Sequence, residues 1–309
     1  MINYYMTVDS RLSQIQELQD GCWVSAVDPT EEEIRYLTET LGVDSGFVRA
    51  GLDEEESSRI EQEEEQTLIV VDAPVAEKQD DGTMTYYTMP FAIILMPDYV
   101  LTVSLRDNTV IAEITGGVVK NVQTKLKTRF FLTILLRIAY RFLQNLKQID
   151  KISSFVEQQL HKSMRNKELI QLLGLEKSLV YFSTSIKANE VTMEKIQRGR
   201  IIKLYEEDED LLDDVLIEIH QANEMCNIYS GILSGMMDAF ASVISNNLNI
   251  VMKVLTSLTI VMAIPNMIFS FYGMNVSGIP MPYAWFTIVV SIIAVAIVTY
   301  ILVKKNMFS

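Results

Sequence analysis

Cysteine, histidine and proline are scarce in this sequence, and basic residues are outnumbered by acidic ones. Of its 309 residues only two are cysteine, two are histidine and seven are proline. Cys22 and Cys226 lie far apart and are too few to build the disulfide framework of a small secreted protein. The 26 Lys and Arg against 40 Asp and Glu leave a formal net charge of -14. Because nucleic acid is bound through basic side chains that neutralise phosphates, we expect no nucleic-acid partner.

The common motifs of catalysis are also missing. The chain has no nucleotide-binding glycine loop, no Ser-His-Asp elbow and no histidine-rich metal cluster. His161 and His220 are isolated from other metal-ligating residues, so each is interpreted as a surface or packing residue. We therefore expect a protein that is not an enzyme and carries no cofactor. The start MINYYMTVDSRLSQIQ lacks a basic segment followed by an apolar one, so no cleavable signal is expected and the N-terminal part should stay in the cytoplasm.

Charge is absent from one long part of the chain. Residues 254–303 contain no Asp, Glu, Lys or Arg, although the whole chain is 21% charged and 49% hydrophobic. Within this part, Val254 to Phe271 and Tyr283 to Val303 are each long enough, at 1.5 Å per residue, to cross a hydrocarbon layer of about 30 Å. The sequence therefore predicts two membrane-spanning helices in contact with lipid.

Basic residues flank the two predicted spans on one side only. Lys253 precedes the first span, and Lys304 with Lys305 follows the second. Positive residues concentrate on the cytoplasmic side of membrane proteins. We expect a multi-pass protein of the cytoplasmic membrane with both termini inside, and only a short loop between the spans outside.

The first 120 residues have the pattern of a mixed α/β domain. β-rich runs CWVSAV, TLIVVDAP, TYYTMPFAIILM and YVLTVSL alternate with turn and helix signals. A helix is predicted over DPTEEEIRYLTETLGV, with Asp28 as its cap, Pro29 just inside and Gly42 at its exit. The glutamate-rich stretch 53–65 is interpreted as a solvated helix or loop, which such composition favours over a dedicated metal site.

Helical periodicity replaces strand signals after about Asn121. Two or three long helices are predicted up to about Leu204, and the acidic run 206–210 is interpreted as the solvated start of the next helix. That run lacks the glycine and ligand spacing of an EF-hand loop. The next helix has an apolar seam at alternating spacings of three and four, formed by Leu212, Val215, Ile219, Ala222, Cys226, Tyr229, Leu233, Met236, Phe240 and Val243.

Such a seam is typical of a helix that packs in coiled-coil fashion. It fits either a bundle inside one chain or a stalk that packs against copies of itself, and we favour the stalk. No proline occurs between Thr192 and Ile264, so the stalk is predicted to continue into the first span without a break.

The first predicted span carries small and polar residues along one face. They recur at spacings of three and four: Asn249, Met252, Thr256, Thr259, Ala263, Asn266 and Ser270. Such a stripe either lets helices approach closely or lines a water-filled path. The carboxamides of Asn249 and Asn266 are costly against lipid, which favours the pore interpretation.

The residues that follow this span carry a resemblance to a known family. Tyr272, Gly273, Met274 and Asn275 stand at its outer end, the second span begins shortly afterwards and a basic tail follows. In this placement the motif resembles the Tyr-Gly-Met-Asn signature of the CorA family of magnesium channels. The run NIVMKVLT at 249–256 is similar to that family's entry to the pore helix.

The resemblance implies a homopentamer whose first span lines the pore and whose second span surrounds it. It implies a selectivity ring of Gly273, Met274 and Asn275, next to Tyr272, with Asn275 presenting carboxamide oxygens. Mg²⁺ dehydrates reluctantly, so a ring of neutral acceptors suits the hydrated ion. Met252 and Leu255 would form the hydrophobic constriction of such a channel, which gates by dewetting. Packing against lipid or another helix is the alternative for either residue.

The resemblance also implies that Mg²⁺ is both substrate and regulatory ligand. In the family, an Asp of the stalk pairs with an Asp of a neighbouring N-terminal domain. Asp238 matches the stalk member, whereas Ala50 stands at the other position with Asp53 nearby. The outer loop VSGIPMPYAW has no acidic residue, unlike many family members. Transport of Zn²⁺, Co²⁺ or Ni²⁺ by the same scaffold, or a membrane-anchored sensor that conducts nothing, are the alternatives.

Together these features predict an α/β cytoplasmic domain, long antiparallel helices, a stalk helix continuous with the first span, and a second span, assembled as a homopentameric funnel. The predicted division is 1–120 for the α/β domain, 121–207 for the antiparallel helices, 208–248 for the stalk, 249–275 for the first span with the signature, 276–282 for the outer loop, 283–303 for the second span and 304–309 for the basic tail.

Overall fold

A computed structural model of the chain describes residues 1–9, 11–80, 82–162, 166–199, 201–274, 281 and 283–307, with the backbone alone at 161 and 162. It divides into two compact units, Met1–Ser234 and Gly235–Ser309. The first unit contains the sheet and most of the helices, and the second contains both apolar helices.

Seven strands and seven helices are present in the described residues. The strands are β1 Ile2–Val8, β2 Arg11–Ile15, β3 Trp23–Val27, β4 Arg59–Glu63, β5 Gln66–Lys78, β6 Met84–Leu95 and β7 Val100–Ser104. The helices are α1 Glu31–Arg35, which continues as a π-helical turn Tyr36–Thr40, then α2 Ser45–Ala50, α3 Thr109–Thr115, α4 Lys127–Lys162, α5 Asn166–Gly199, α6 Glu206–Tyr272 and α7 Ala284–Lys304.

One sheet holds all seven strands in the order β2-β1-β3-β7-β6-β5-β4. Every neighbouring pair is antiparallel except β3 and β7, which run parallel with Trp23 opposite Val100. The chain must therefore cross from one half of the sheet to the other between β3 and β7. The predicted runs correspond to β3, β5, β6 and β7.

Helices cover both faces of this sheet. Successive side chains of β3 point to opposite faces and pack against different helices. Val24 belongs to a core with Leu37 of the π-helical turn and Phe47 of α2. Trp23 points the other way, with its ring centroid 5.2 Å from that of Phe130 on α4. Its indole Nε1 donates to Thr102 Oγ1 at 2.9 Å, so this buried donor is satisfied.

The first predicted helix has a different cap from the expected one. Thr30 accepts from the backbone N–H of Glu33, whose carboxylate accepts from the N–H of Thr30, so the pair forms a capping box. Asp28 instead has a left-handed φ of 43° and donates its backbone N–H to Ser104 O at 2.9 Å. The prediction of Asp28 as the cap was wrong: Asp28 is hydrogen-bonded to the end of β7, and the cap is Thr30, two residues later.

The glutamate-rich stretch is not only a solvated helix or loop as predicted. Its last part forms the edge strand β4, whose Ile60 lies opposite Ile69 of β5. At the other edge, β1 and β2 form a hairpin that the sequence analysis did not find. Both edge strands carry charged or polar residues, which is how natural sheets discourage pairing with another chain.

Asn189 fastens α5 to the sheet. Its Nδ2 donates to Asp72 O and its Oδ1 accepts from Asp72 N, both at 2.8 Å, so it pairs with a strand as a further peptide group would. The same Oδ1 accepts from Ser58 Oγ at 3.0 Å. The Asn189 side chain is completely buried, so these bonds hold α5 in one register against β5.

The apolar seam of α6 is largely buried by the chain itself. Leu212, Val215, Ile219, Ala222, Cys226 and Leu233 are at most 2% exposed in a single chain. Hydrogen bonds join α6 to α5: Asp213 accepts from Gln197, and Cys226 Sγ of the seam donates to Leu179 O at 3.3 Å. This part of the seam packs within one chain, so the favoured prediction of a self-packing stalk was wrong there.

The acidic run begins α6 as predicted, but one of its members is not solvated. Asp208 is only 5% exposed, and its Oδ2 accepts from the backbone N–H of Tyr205 just before the helix. That bond satisfies a donor left free at the helix start. Glu206, Glu207 and Glu209 remain exposed there, where the helix dipole favours negative charge.

Candidate ion pathway

Two helices of the second unit are long and apolar enough to cross a membrane. They are the membrane end of α6 and the whole of α7, and only 6% and 17% of their most apolar windows are buried within the chain. A core helix of a soluble protein would be mostly buried. These surfaces therefore need lipid or another copy of the chain to cover them.

α6 and α7 contact each other at both ends of the pair, and the less exposed residues of each helix lie along one side. On α6 this side contains the fully buried Ser257 and the half-buried Val261, Ile264, Ile268 and Tyr272. On α7 it contains Thr287, Ser291 and Leu302, which are 8%, 5% and 8% exposed. Small hydroxyl residues at such a contact let two membrane helices approach closely. The side of α6 that faces α7 is therefore largely apolar, and the residues of the polar stripe are not on it.

The polar stripe lies on the opposite side of α6. All its residues are exposed in the single chain: Asn249, Met252, Thr256, Thr259, Ala263, Asn266 and Ser270, together with Leu255. At 3.6 residues per turn, the centre of the stripe is roughly 150° around the helix from the centre of the α7 contact. If α7 is on the lipid side of α6, the stripe faces away from lipid.

The signature residues begin where α6 ends. Gly273 N donates to Phe269 O at 2.9 Å, and a Cβ added at Gly273 would lie 3.1 Å from that same oxygen. A side chain would therefore crowd the last helical carbonyls. Met274 is exposed, whereas Asn275, the predicted ion-contacting residue, lies outside the described residues, as does most of the predicted outer loop 276–282.

Aromatic rings gather where α6 ends and α7 begins. Tyr272 makes an edge contact with Phe286 of α7 at 6.3 Å between ring centroids, and Tyr283 stacks near Trp285 at 6.4 Å. Tyr and Trp concentrate at the boundary between lipid and water. Tyr272 thus joins the two helices, and its predicted place in the selectivity filter stays a prediction.

The predicted regulatory residues are exposed carboxylates. Asp238 is an exposed residue of α6. Asp53 is also exposed, and its Oδ1 accepts from Glu55 N at 3.0 Å, which stabilises a turn. Ala50 is 3% exposed and packs in the sheet core. Among the described residues, no three His, Cys, Asp or Glu side chains are placed to hold a metal ion within one chain, so a site at Asp238 would need residues from another copy.

Neither cysteine has the properties of a metal ligand. Both thiols are buried and free. Burial raises the pKa of the Cys22 thiol and raises that of Cys226 to about 11, so both stay protonated, whereas a metal binds the thiolate. His220 is on the surface beside Glu190, in agreement with its interpretation as a surface residue. His161 lies in α4, and its side chain is outside the described part of the chain.

One contact between α6 and the C-terminal end of α7 was not predicted from the sequence. Ser257 Oγ of α6 donates to the carbonyl oxygen of Met307, just after α7, at 3.3 Å. A serine inside an apolar run indicates that its hydroxyl needs a hydrogen-bond acceptor, but the sequence does not identify that acceptor. Asn306, placed after the two lysines at the end of the span, is the only sequence signal for the turn that brings Met307 there.

Comparison with known proteins decides the family of this chain. A family model described as "CorA-like Mg2+ transporter protein" matches residues 19–305. The chain belongs to the CorA family. This CorA-family chain is also 29% identical over 294 residues to the cobalt/magnesium transport protein CorA of Methanocaldococcus jannaschii, and the match covers 90% of this chain and 89% of that protein.

Solved structures share the fold. The complete structure of the CorA magnesium transporter from Methanocaldococcus jannaschii matches with a TM-score of 0.81 at 24% identity, over 97% of this chain and 96% of that one. The full-length CmaX protein matches with a TM-score of 0.72 at 15% identity, over 99% and 97%. The predicted order of an α/β domain, long helices and two C-terminal apolar helices is thereby confirmed for this CorA-family chain.

Proposed function

We propose that this chain is the subunit of a divalent-cation channel that moves Mg²⁺ into the cell across the cytoplasmic membrane. In this proposal five copies surround one pore, α6 lines it and α7 separates α6 from lipid. The observation that carries the proposal is the position of the polar stripe on the side of α6 away from α7. Family membership supports Mg²⁺ as the substrate, since the matching model is described as a Mg²⁺ transporter.

The stripe has the chemistry of a wet path. Asn249, Thr256, Thr259, Asn266 and Ser270 offer neutral oxygens that can hold the waters of a hydrated ion without stripping them. Their lack of charge keeps binding weak, so that the ion can leave inward. Leu255 and Met252, near the inner end of the same helix, provide apolar side chains for a constriction that dewets when narrow.

Asn275 is assigned to the outer mouth, directly after Gly273 and Met274. A symmetric ring of its carboxamides would present acceptors to the hydrated ion, and Gly273 avoids a tight contact between a Cβ and Phe269 O where the helix ends. With both termini in the cytoplasm, this ring faces outward. Asp238, with Asp53 from a neighbouring copy, is assigned to regulation by internal Mg²⁺, which would bridge carboxylates that otherwise repel.

Co²⁺ is the second candidate substrate, because the relative from Methanocaldococcus jannaschii is named a cobalt/magnesium transport protein. Zn²⁺ and Ni²⁺ transport remain further alternatives on the same scaffold. A sensor that conducts nothing is the alternative from another class. The exposed stripe favours conduction, since a sensor has no need of carboxamides such as Asn266 on a membrane helix.

Ion flux into liposomes tests this proposal. The purified protein should carry Mg²⁺ inward, and competition with Co²⁺, Ni²⁺ and Zn²⁺ should rank the ions. Asn275→Ala should abolish flux while the assembled complex is retained, because the residue is placed at a wet mouth. Asn275→Asp should keep binding but slow release, since a ring of negative charges holds a divalent ion more tightly.

Asn246→Ala is the matched control, because Asn246 is an exposed residue on the opposite side of α6 from the stripe. It should conduct at the parental rate. Parental flux through assembled Asn275→Ala would reject the selectivity ring. A parent protein that conducts no divalent ion would reject the channel and favour the sensor.

A further inference from the structure

α7 ends in a hydrogen-bonded turn that reverses the chain. Asn306 has a left-handed φ of 51°, its N–H donates to Val303 O at 3.0 Å, and Met307 N donates to Leu302 O at 3.1 Å. These two bonds and the left-handed residue define a Schellman motif. The motif consumes two of the free carbonyls at the end of α7 and directs Met307 back along the helix.

The returning chain is bound by α6. Ser257 Oγ donates to the Met307 carbonyl oxygen at 3.3 Å, and the Ser257 side chain is completely buried. Other hydroxyls in these helices behave differently: Thr259 donates to Leu255 O and Thr287 to Tyr283 O, each within its own helix. Ser257 thus gives up the usual bond to its own helix and joins α6 to the end of α7.

This contact lies at the same height along α6 as the proposed constriction, but on the side of the helix that faces α7. Ser257 is one residue from Thr256 and two from Leu255, so the rise between them is only about 1.5 to 3 Å along the axis. Ser257 itself is on the α7 side of the helix, whereas Thr256 and Met252 belong to the stripe. A bond at Ser257 therefore resists rotation of α6 at the height where rotation would move Met252 and Leu255 toward or away from the pore.

We propose that residues 305–307 form a clasp that fixes the orientation of α6 at its constriction, with Ser257 and Asn306 as positioning residues. The inference rests on the proposed function, since it assigns a gate to α6. Ser257 and Asn306 do not touch the ion. They set the balance between conducting and closed orientations through the backbone of Met307. Breaking the clasp allows α6 to rotate about its axis and shifts the equilibrium between the conducting and closed orientations.

Two substitution pairs test the clasp. Ser257→Ala removes the donor, and Asn306→Val disfavours the left-handed turn because a β-branched residue is strained at positive φ. The controls keep the clasp: Asn306→Gly accepts positive φ without strain, and Thr287→Val removes a buried hydroxyl bonded only within α7.

The first measurement is the internal Mg²⁺ concentration that half-inhibits flux in liposomes. Ser257→Ala and Asn306→Val should shift it by about fivefold, the lower end of typical coupling between sites. The double variant should match either single variant, since both break the same contact. Asn306→Gly and Thr287→Val should equal the parent. Unchanged inhibition in Ser257→Ala and Asn306→Val, or additive effects in the double variant, would overturn the clasp.

The second measurement does not depend on transport. A Ser257→Cys thiol should be protected from a small membrane-permeant reagent in the intact protein, and Asn306→Val should make it reactive, while Asn306→Gly should not. Equal reactivity in all three would show that residues 305–307 do not cover Ser257 and would overturn the clasp. If protection follows the clasp but the parent conducts nothing, the channel proposal fails instead, and the positioning role fails with it.

Discussion

The imidazole Nδ1 of His220 on α6 lies 2.9 Å from Oε1 of Glu190 on α5. The second carboxylate oxygen of Glu190 accepts from Asn223 Nδ2, also at 2.9 Å. One acid of α5 therefore holds two successive turns of α6. The hydrogen bond and charge of Glu190 raise the pKa of His220 above its ordinary value.

This pair predicts a pH-dependent contribution to stability. Because the pKa of His220 is raised in the folded state, the contribution is complete below the unfolded value of about 6.5 and is lost as pH rises through the folded value. The thermal midpoint of the parent should exceed that of His220→Gln at pH 5.5, and the difference should shrink by pH 8.5. Glu190→Gln should abolish the same dependence. A difference between parent and His220→Gln that is constant over this pH range would contradict the assignment.

The hydrogen bonds of Asn189 should make a larger contribution to the free energy of unfolding, and one that does not depend on pH. Asn189→Ala removes three hydrogen bonds, two with the backbone N–H and C=O of Asp72 and one from Ser58 Oγ. Each lost bond costs about 1 kcal/mol, so we expect a loss of about 3 kcal/mol. Ser58→Ala removes only one bond to the same oxygen and should cost about 1 kcal/mol. Thermal unfolding of the detergent-solubilised protein measures both. Equal midpoints for the two variants would show that the bonds to Asp72 contribute nothing.

Asp238 predicts a change in regulation without a change in the pore. Asp238→Ala should raise flux at high internal Mg²⁺, because it removes the carboxylate that in the proposed regulation is bridged by the ion to a neighbouring copy. Flux at low Mg²⁺ should remain parental. Asp210→Ala, which removes another exposed acid of α6, serves as control and should leave inhibition intact. Normal inhibition of Asp238→Ala would mean that another site governs closure.

Membrane topology predicts a pattern of chemical labelling. If both flanks are in the cytoplasm as proposed, a cysteine at Ser277 should react with an impermeant thiol reagent applied from outside, and one at Ser309 should not. The two native thiols are buried and contribute little background. Labelling at Ser309 with protection at Ser277 would reverse the orientation and place the proposed selectivity ring inside.

The sequence predicted those parts of the fold that a local pattern specifies. β3, β5, β6 and β7 were found because each is a buried β-rich run, and α7 because it is apolar throughout. β4 was missed because Arg59, Glu61 and Glu63 are characteristic of a solvated segment as much as of a protected edge strand. Local composition does not distinguish the two, and only pairing with β5 does.

The partner of a buried surface was harder to predict than its existence. The periodicity of α6 correctly marked Leu212 to Leu233 as a buried face, yet α5 and not another copy carries the adjoining contacts. Sequence spacing gives the direction of a side chain but not the identity of what covers it. The same limit applies at Ser257: its bond to Met307 depends on the left-handed turn at Asn306, a tertiary relationship that helical periodicity does not encode.

The parallel pairing of β3 with β7 has a consequence for biosynthesis. β3 cannot complete its hydrogen bonds until the ribosome has made residues 100–104, so the N-terminal hairpin waits for the middle of the sheet. The first apolar span follows β7 by about 150 residues, which at 5–20 residues per second leaves roughly eight to thirty seconds. The sheet can therefore close before the chain engages the membrane insertion machinery. During that interval the charged and polar residues of its edge strands discourage pairing with other chains.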